Sequence, residues 1–366
     1  MKNLLTLFFT LALVGISYSA FANIWTVSNN ANRPAQYTTI QGAIDTAANG
    51  DTILITAGSY SGFTSIKQLV MIGEGIASPE VRITNYSYIN RFTPSVSAAG
   101  SKFISIRFNW YVIIDGNYSG GTGGLETIDD LLFERCYFVS NSSSNRGEVR
   151  YNGSDGGYSN HTYRNCVFYG GQYRTFEFLD TEMTNILITN CVFNNAIVDG
   201  NNNNVNGGII LRNNIFLVRT PSCAFEAMNN VLIENNIFYR SEVCGLSNST
   251  LNNNLTFLNN VPAFPIGTSG NVGSGNLVDI DPEFTTYATP PAVANWSLSH
   301  DYTPQNALVD TSGTNGTAIG LTGGSAPTKN VKKYPKIPVV TEVNIPVSSV
   351  PVGGTLQINL KANTRD

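Results

Sequence analysis

Three short runs carry charged side chains at strand spacing, and chemistry is to be sought there first. They are Glu148-Val149-Arg150-Tyr151, Thr175-Phe176-Glu177-Phe178 and Ala224-Phe225-Glu226-Ala227. Strand side chains alternate between faces, so with Val149, Phe176 and Phe225 turned inward, Arg150, Glu177 and Glu226 point out. Tyr151, Tyr173, Arg174, Asp180 and Glu182 lie close enough in sequence to be placed on the same lateral face. Carboxylates such as Glu177, Asp180 and Glu226 can hold Ca²⁺ through their oxygens. Two of them can also flank a sugar linkage, about 5 to 9.5 Å apart. Arg150 or Arg174 can offset a developing negative charge, and either serves as a base only where its surroundings remove its proton. A solvated face with scattered polar groups explains the same pattern. Catalytic residues therefore stay unassigned, no metal ligands are assigned, and Arg150, Tyr151, Tyr173, Arg174, Glu177, Asp180 and Glu226 stand as a candidate substrate-binding group.

Other chemistries find little support. The only histidines are His161 and His300, far apart in sequence, and His161 falls on an inward strand position where a hydrogen-bonded core histidine is expected. No zinc-ligand spacing and no Ser-His nucleophile pattern occurs. The glycines between Gly116 and Gly124 lack the order of a phosphate or dinucleotide loop and read as a turn or insertion. Asn117, Asn141, Asn152, Asn160 and Asn248 each begin an Asn-x-Ser/Thr triplet, which a chain rich in these residues produces by composition.

The elements that must position the candidate group come from one phrase written six times. It appears as Leu132-Phe133-Glu134-Arg135-Cys136-Tyr137-Phe138 and again from Thr162, Leu187, Ile210, Leu232 and, degenerately, Thr250. Successive fifth positions are 30, 25, 23, 22 and 18 residues apart, a drifting period that marks a solenoid. Alternation turns Phe133, Tyr163, Ile188, Leu211 and Ile233 inward and Glu134, Arg164, Thr189, Arg212 and Glu234 outward, so Glu134 should meet Arg164, and Arg212 should meet Glu234, on neighbouring coils. A second outward row, Leu132, Thr162, Leu187, Ile210 and Leu232, is apolar enough to need a cover.

The chain is expected to turn at the fifth position. Asn214, Asn236 and Asn254 stack there as an amide ladder, while Cys136, Cys166 and Cys191 continue the row as small buried thiols without a bridge. Cys223 and Cys244 occupy neighbouring coils, and their pairing is left open.

Before the phrases, Ile40, Ala43, Ile44 and Ala47 recur at helical spacing and Asn49-Gly50-Asp51 ends the run, placing a capping helix near residues 40–48. The first 22 residues, with Lys2, an apolar run from Leu4 to Ile16 and Ala20-Phe21-Ala22, read as a secretory signal cut after Ala22. The formal net charge of −4, with five of the eight lysines at or beyond Lys329, argues against a nucleic-acid partner. No stretch is long enough to insert in a membrane.

The run YTTIQGAIDTAANGDTILITAGSY from Tyr37 to Tyr60, followed by Met71-Ile72-Gly73-Glu74-Gly75, resembles the N-terminal cap of secreted parallel β-helix proteins of the pectate-lyase-like superfamily. The repeated phrase is similar to that superfamily's coil, so the resemblance covers roughly residues 24–284. It implies an all-β, right-handed single-stranded parallel β-helix with about ten coils, and a lateral groove at which the superfamily's enzymes act on acidic polysaccharides. The wording of β-helix polygalacturonases and of pectin methylesterases is absent. Asp279 to Phe284 and Asn295 to Leu298 resemble the exit segments of such proteins, and the last residues resemble a short C-terminal extension.

The expected organisation is a signal over 1–22, a capped β-helix over 23–290, and an exit segment with a small β extension over 291–366. Val339 to Leu360 should form a strand pair with a turn at Gly353-Gly354, packed along the apolar outer row of Leu187, Ile210 and Leu232. The expected function is an extracellular protein that binds a polysaccharide along one lateral face. A polysaccharide lyase needing Ca²⁺ and a non-catalytic surface rod are the alternatives. No cofactor is expected apart from that Ca²⁺, and oligomeric state is left open.

Overall fold

The computed structural model describes residues 22–93, 96–116, 128–139, 148–152, 157–170, 174–179, 183–200, 208–218, 222–287, 294–336, 338–345, 353, 355–356 and 358–364. The chain winds into a right-handed parallel β-helix. Among the described residues, the first sheet stacks eleven strands from Ile24–Val27 to Val272–Ser274, and the second stacks nine from Gly58–Tyr60 to Leu255–Phe257. The third has eight, seven of them in a parallel column from Thr64–Ser65 to Phe225–Glu226. One full coil shows the plan: Leu132–Glu134 lies in the first sheet, Tyr137–Val139 in the second and Val149–Asn152 in the third.

The register of the first sheet follows the phrase. Phe133 lies opposite Tyr163, Tyr163 opposite Ile188, Ile188 opposite Leu211 and Leu211 opposite Ile233. All five are fully buried. The phrase's last position builds a second interior column, in which Phe108, Phe138, Phe168, Phe193, Phe216 and Phe238 stack with ring centroids 4.5 to 5.3 Å apart. That spacing is the strand separation, so each ring lies over its neighbour as the backbones pair, and each contact adds about 0.5–1.5 kcal/mol beyond area burial. Outside, Arg164 lies 2.6 Å from Glu134 and Arg212 lies 2.8 Å from Glu234, the expected charge pairs.

The corner after the first sheet differs from expectation by one residue. The bend falls at the fourth position of the phrase, where Arg135, Asn165, Asn190, Asn213, Asn235 and Asn253 all adopt a left-handed conformation with φ between 52 and 58°. Asparagine tolerates that region better than other side chains with a Cβ, which explains its recurrence there. The fifth position follows the bend and faces inward. There the Nδ2 groups of Asn214, Asn236 and Asn254 donate to the next Oδ1 at 3.0 to 3.1 Å, and the ladder runs one step further than expected, to Asn276. The Oδ1 atoms of Asn214, Asn236, Asn254 and Asn276 accept the backbone N–H groups of Cys191, Asn214, Asn236 and Asn254 respectively, each at 2.9 Å. Cys136, Cys166 and Cys191 continue the row as buried free thiols. Burial pushes Cys136 and Cys166 well above the ordinary thiol range, which keeps both protonated. Cys223 and Cys244 form a disulfide with Cα atoms 5.2 Å apart.

A helix, Ile40–Thr46, closes the N-terminal end with Ile40, Ala43 and Ile44 buried. The Thr39 hydroxyl accepts from the Gly42 N–H at 3.2 Å, as an N-cap should. Lys67 Nζ donates to the carbonyls of Ile44, Asp45 and Ala47 at 2.7 to 2.9 Å, supplying charge and donors where the helix leaves carbonyls unpaired.

The outer cover is found on a different sheet. Val167, Val192, Ile215, Ile237 and Leu255 of the second sheet point outward and are buried beneath Tyr302, Val309, Ile319, Leu321 and Val331. Asn190 Nδ2 donates to the Leu321 and Gly323 carbonyls, both at 2.8 Å, and so fastens that segment. The expected strand pair forms from Pro338–Asn344 and Asn359–Thr364, antiparallel, with Gly353 at φ 84°. Its expected packing on the first sheet is overturned: Val343 and Leu360 remain 58% and 61% exposed. Leu132, Leu187, Ile210 and Leu232 are half-buried without the hairpin, and the returning segment lies instead over the apolar stretch of the second sheet's outer row from Val167 to Leu255. The signal reading at 1–22 lies, except for Ala22, outside the described residues. Among the described residues no helix is long and apolar enough to cross a membrane.

Candidate functional site

The third sheet brings most of the candidate group together. Register places Tyr88 opposite Ile113, Ile113 opposite Arg150, Arg150 opposite Glu177, Glu177 opposite Asp199 and Asp199 opposite Glu226. Their backbone neighbours Ile89, Ile114, Val149, Phe176, Val198 and Phe225 face the core and are buried, so this row is the outer face of the sheet. Six stacked strands make it about 24 Å long.

Within the row the charges neutralise one another. Arg150 Nε lies 3.4 Å from Glu177 Oε2. Arg174, one strand-length aside in the same sheet, reaches Asp199 Oδ2 at 2.8 Å, Glu177 Oε1 at 3.3 Å and Glu226 Oε2 at 3.4 Å. Burial alone would lower the Arg174 pKa, but the hydrogen bond it donates to Glu226 and the charges of Asp199, Glu226 and Glu177 outweigh it and raise the value. An arginine held this way keeps its proton, which is opposite to what a proton-abstracting base requires. Two arginines and three carboxylates leave a face close to neutral that presents both donors and acceptors. Among the described residues no group of three or more His, Cys, Asp or Glu is arranged to hold a metal ion.

Of the seven candidates, Arg150, Arg174, Glu177 and Glu226 meet in this cluster. Tyr173 and Asp180, with Glu182, lie outside the described residues. The placement of Tyr151 on the outer face is corrected. It follows outward Arg150 in the strand, so alternation turns it in, and it is fully buried. There its hydroxyl sits 3.0 Å from His161 Nδ1 and 2.9 Å from the Tyr163 hydroxyl, while His161 Nε2 donates to the Ile128 carbonyl at 2.7 Å. Since that carbonyl only accepts, Nε2 carries the proton and Nδ1 accepts from Tyr151. Burial holds the His161 pKa down at about 4; it is the hydrogen-bonded core histidine expected from its position.

Two groups escaped the sequence reading. Asp199 completes the carboxylate column, and the recurring apolar-acid pairs Phe176-Glu177, Val198-Asp199 and Phe225-Glu226 were a signal for it. At the N-terminal end of the row, Tyr86 lies 5.4 Å from Trp110 and 6.5 Å from Tyr88, ring centroid to centroid. All three are half-buried, so each offers part of a ring to solvent. Nothing in the spacing of these aromatics marked them before the coil register was known.

No family model matches the chain, and a search of curated proteins gives no match. Seven chains of solved structures are similar to it, two of them as follows. One is a pectin methylesterase from Aspergillus niger, at 12% identity and a TM-score of 0.35, covering 71% of this chain and 92% of that one. The other is the pectate lyase Pel9A, at 12% identity and a TM-score of 0.33, covering 85% of this chain and 96% of that one. At such values neither neighbour carries its activity over to this chain, whose right-handed parallel β-helix is established by its own sheets.

Proposed function

We propose that this is an exported protein which binds a polysaccharide along the outer face of the third sheet, its leader being removed after Ala22. The observation that supports this most is the row of Tyr88, Ile113, Arg150, Glu177, Asp199 and Glu226 in unbroken register. A flat, nearly neutral strip with donors, acceptors and an aromatic cluster at one end suits the hydroxyl-rich, partly apolar surface of a sugar chain. The strip carries no proton-poor base at Arg174, so binding rather than lyase chemistry is the reading. The β-helix over 23–290 is the binding unit and 291–366 its cover and appendage.

The test is affinity gel electrophoresis of the full mature chain against a panel of neutral and uronate-containing polysaccharides. Retardation by at least one glycan, reduced in Arg150→Ala, supports the reading. Ultraviolet absorbance from unsaturated products, followed with and without Ca²⁺, would replace it by a lyase. Absence of both signals would leave the rod.

A further inference from the structure

At its N-terminal end the outer face of the third sheet carries rings in place of charges. Ser87 is fully buried, so alternation turns its neighbours Tyr86 and Tyr88 outward. Ser87 pairs with Val112 on the next coil, which sets Tyr86 beside Tyr111, and the Ser87 N–H donates to the Tyr111 carbonyl at 3.0 Å. Trp110 stands in the turn between the second-sheet strand Arg107–Phe108 and the third-sheet strand Val112–Asp115. Tyr111 is 3% exposed and lies 5.3 Å from the Tyr86 ring and 6.0 Å from the Trp110 indole, centroid to centroid. It backs both rings, while Tyr86, Tyr88 and Trp110 stay half-buried. The hydroxyls of Tyr86 and Tyr88 and the Trp110 Nε1–H make no hydrogen bond among the described residues. Fixed rings with unused polar tips suit a ligand that alternates C–H patches with hydroxyls.

The charged part of the same face has no cation to spare. Arg150 lies beside Glu177 at 3.4 Å, and Arg174 is shared among Asp199, Glu177 and Glu226. These three carboxylates outnumber the two arginines by one. Asp115, two residues beyond outward Ile113, adds another acid and accepts from Asn152 Nδ2 at 3.3 Å. An incoming carboxylate would lose hydration, meet no unpaired cation among the described side chains of this face, and lie against a surplus of its own charge. A sugar hydroxyl meets no such cost. It can donate to Glu226, whose side chain is 50% exposed, and accept from Trp110 Nε1.

We infer that this face selects an uncharged glycan, with Trp110, Tyr86 and Tyr88 as the platform on which its sugar rings stack. The inference rests on the reading of the third-sheet face as glycan-binding and specifies the class of glycan. It departs from the acidic polymers that the superfamily resemblance implied.

The experiment is titration calorimetry of the full mature chain at low and high salt. The ligands are an oligogalacturonate, the same oligosaccharide with its carboxyls reduced to hydroxymethyl groups, and neutral hexasaccharides of glucose, xylose and mannose. At least one neutral ligand should bind with an affinity that salt changes by less than about twofold, and the reduced oligosaccharide should bind more tightly than its acid form. Trp110→Ala should weaken neutral binding about tenfold and Tyr88→Ala by a smaller factor, with circular dichroism like wild type in both. Neutral ligand should also shift the tryptophan fluorescence of wild type, and Trp110→Phe should bind with that shift lost. Tighter binding of the acid form, or neutral binding unchanged in both Trp110→Ala and Tyr88→Ala, would overturn the inference. If Arg150→Ala still weakened binding in that case, the broader reading of the face would stand. No binding of any of these ligands would overturn both.

Discussion

At the scale of single residues, the Arg174 cluster sets electrostatic cost against geometry. Asp199 has a side chain only 1% exposed, and its carboxylate lies 2.8 Å from the Arg174 guanidinium. Arg174→Ala should therefore destabilise the protein by on the order of 3 kcal/mol, measured by urea unfolding, because a buried charge loses its partner. Adding Asp199→Asn should restore most of the loss; no recovery would mean that Arg174 acts through packing. His161 gives a pH-dependent counterpart. Its folded pKa of about 4 lies below the ordinary value near 6.5, so protons favour the unfolded chain. Stability from the neutral ring is complete above about pH 6.5 and declines as pH falls towards about 4. Comparison of wild type with His161→Gln over that window should show a steeper decline in wild type, and parallel profiles would contradict the assignment. Much of this was legible from alternation alone: inward His161 and outward Arg150, Glu177 and Glu226. Tyr151 was misplaced because its polar hydroxyl was allowed to override its inward phase, and Asp199 was missed because its three-residue strand, Ile197–Asp199, follows the phrase from Leu187 too closely to stand out as a separate strand.

At the scale of elements, the amide ladder is the most exposed to single changes. Asn236 accepts from the backbone and side chain of Asn214 and donates to Leu211 O and Asn254 Oδ1. Asn236→Ala orphans several buried groups at about 1–3 kcal/mol each, so the urea midpoint should fall clearly, whereas Asn252→Ala on the outer face of the next coil, where its Oδ1 accepts only the Ser274 N–H, should lower it less. The phrase showed this ladder in the sequence, since identical residues at the period of one coil must stack. It did not show where the bend falls, which depends on one left-handed residue rather than on hydrophobic pattern. Nor did it show which outer row would be covered, because both rows are apolar and only the three-dimensional path of residues 294–336 decides between them. Removing residues 294–366 should expose Val192, Ile215, Ile237 and Leu255 and give a protein that binds a hydrophobic dye or aggregates; a soluble, dye-silent truncation would show that the cover is dispensable.

At the scale of the whole molecule, the solenoid separates what holds it together from what it offers. The interior is aromatic and aliphatic columns beside a row of amides and thiols, the corners are left-handed asparagines, a helix closes one end and the returning segment covers one side. Each coil contacts chiefly its neighbours, so outward residues can vary while the interior period is kept. The strip on the third sheet is where that freedom produced an ordered sequence of charges beside aromatics. The most direct test of its role is calorimetric titration of the full mature chain with the glycan that retards it most, comparing wild type with Arg150→Ala and Glu226→Gln. Both variants should fold like wild type by circular dichroism and bind at least about fivefold more weakly, the loss of roughly one hydrogen bond to a charged group. Unchanged affinity in both would contradict binding along this face.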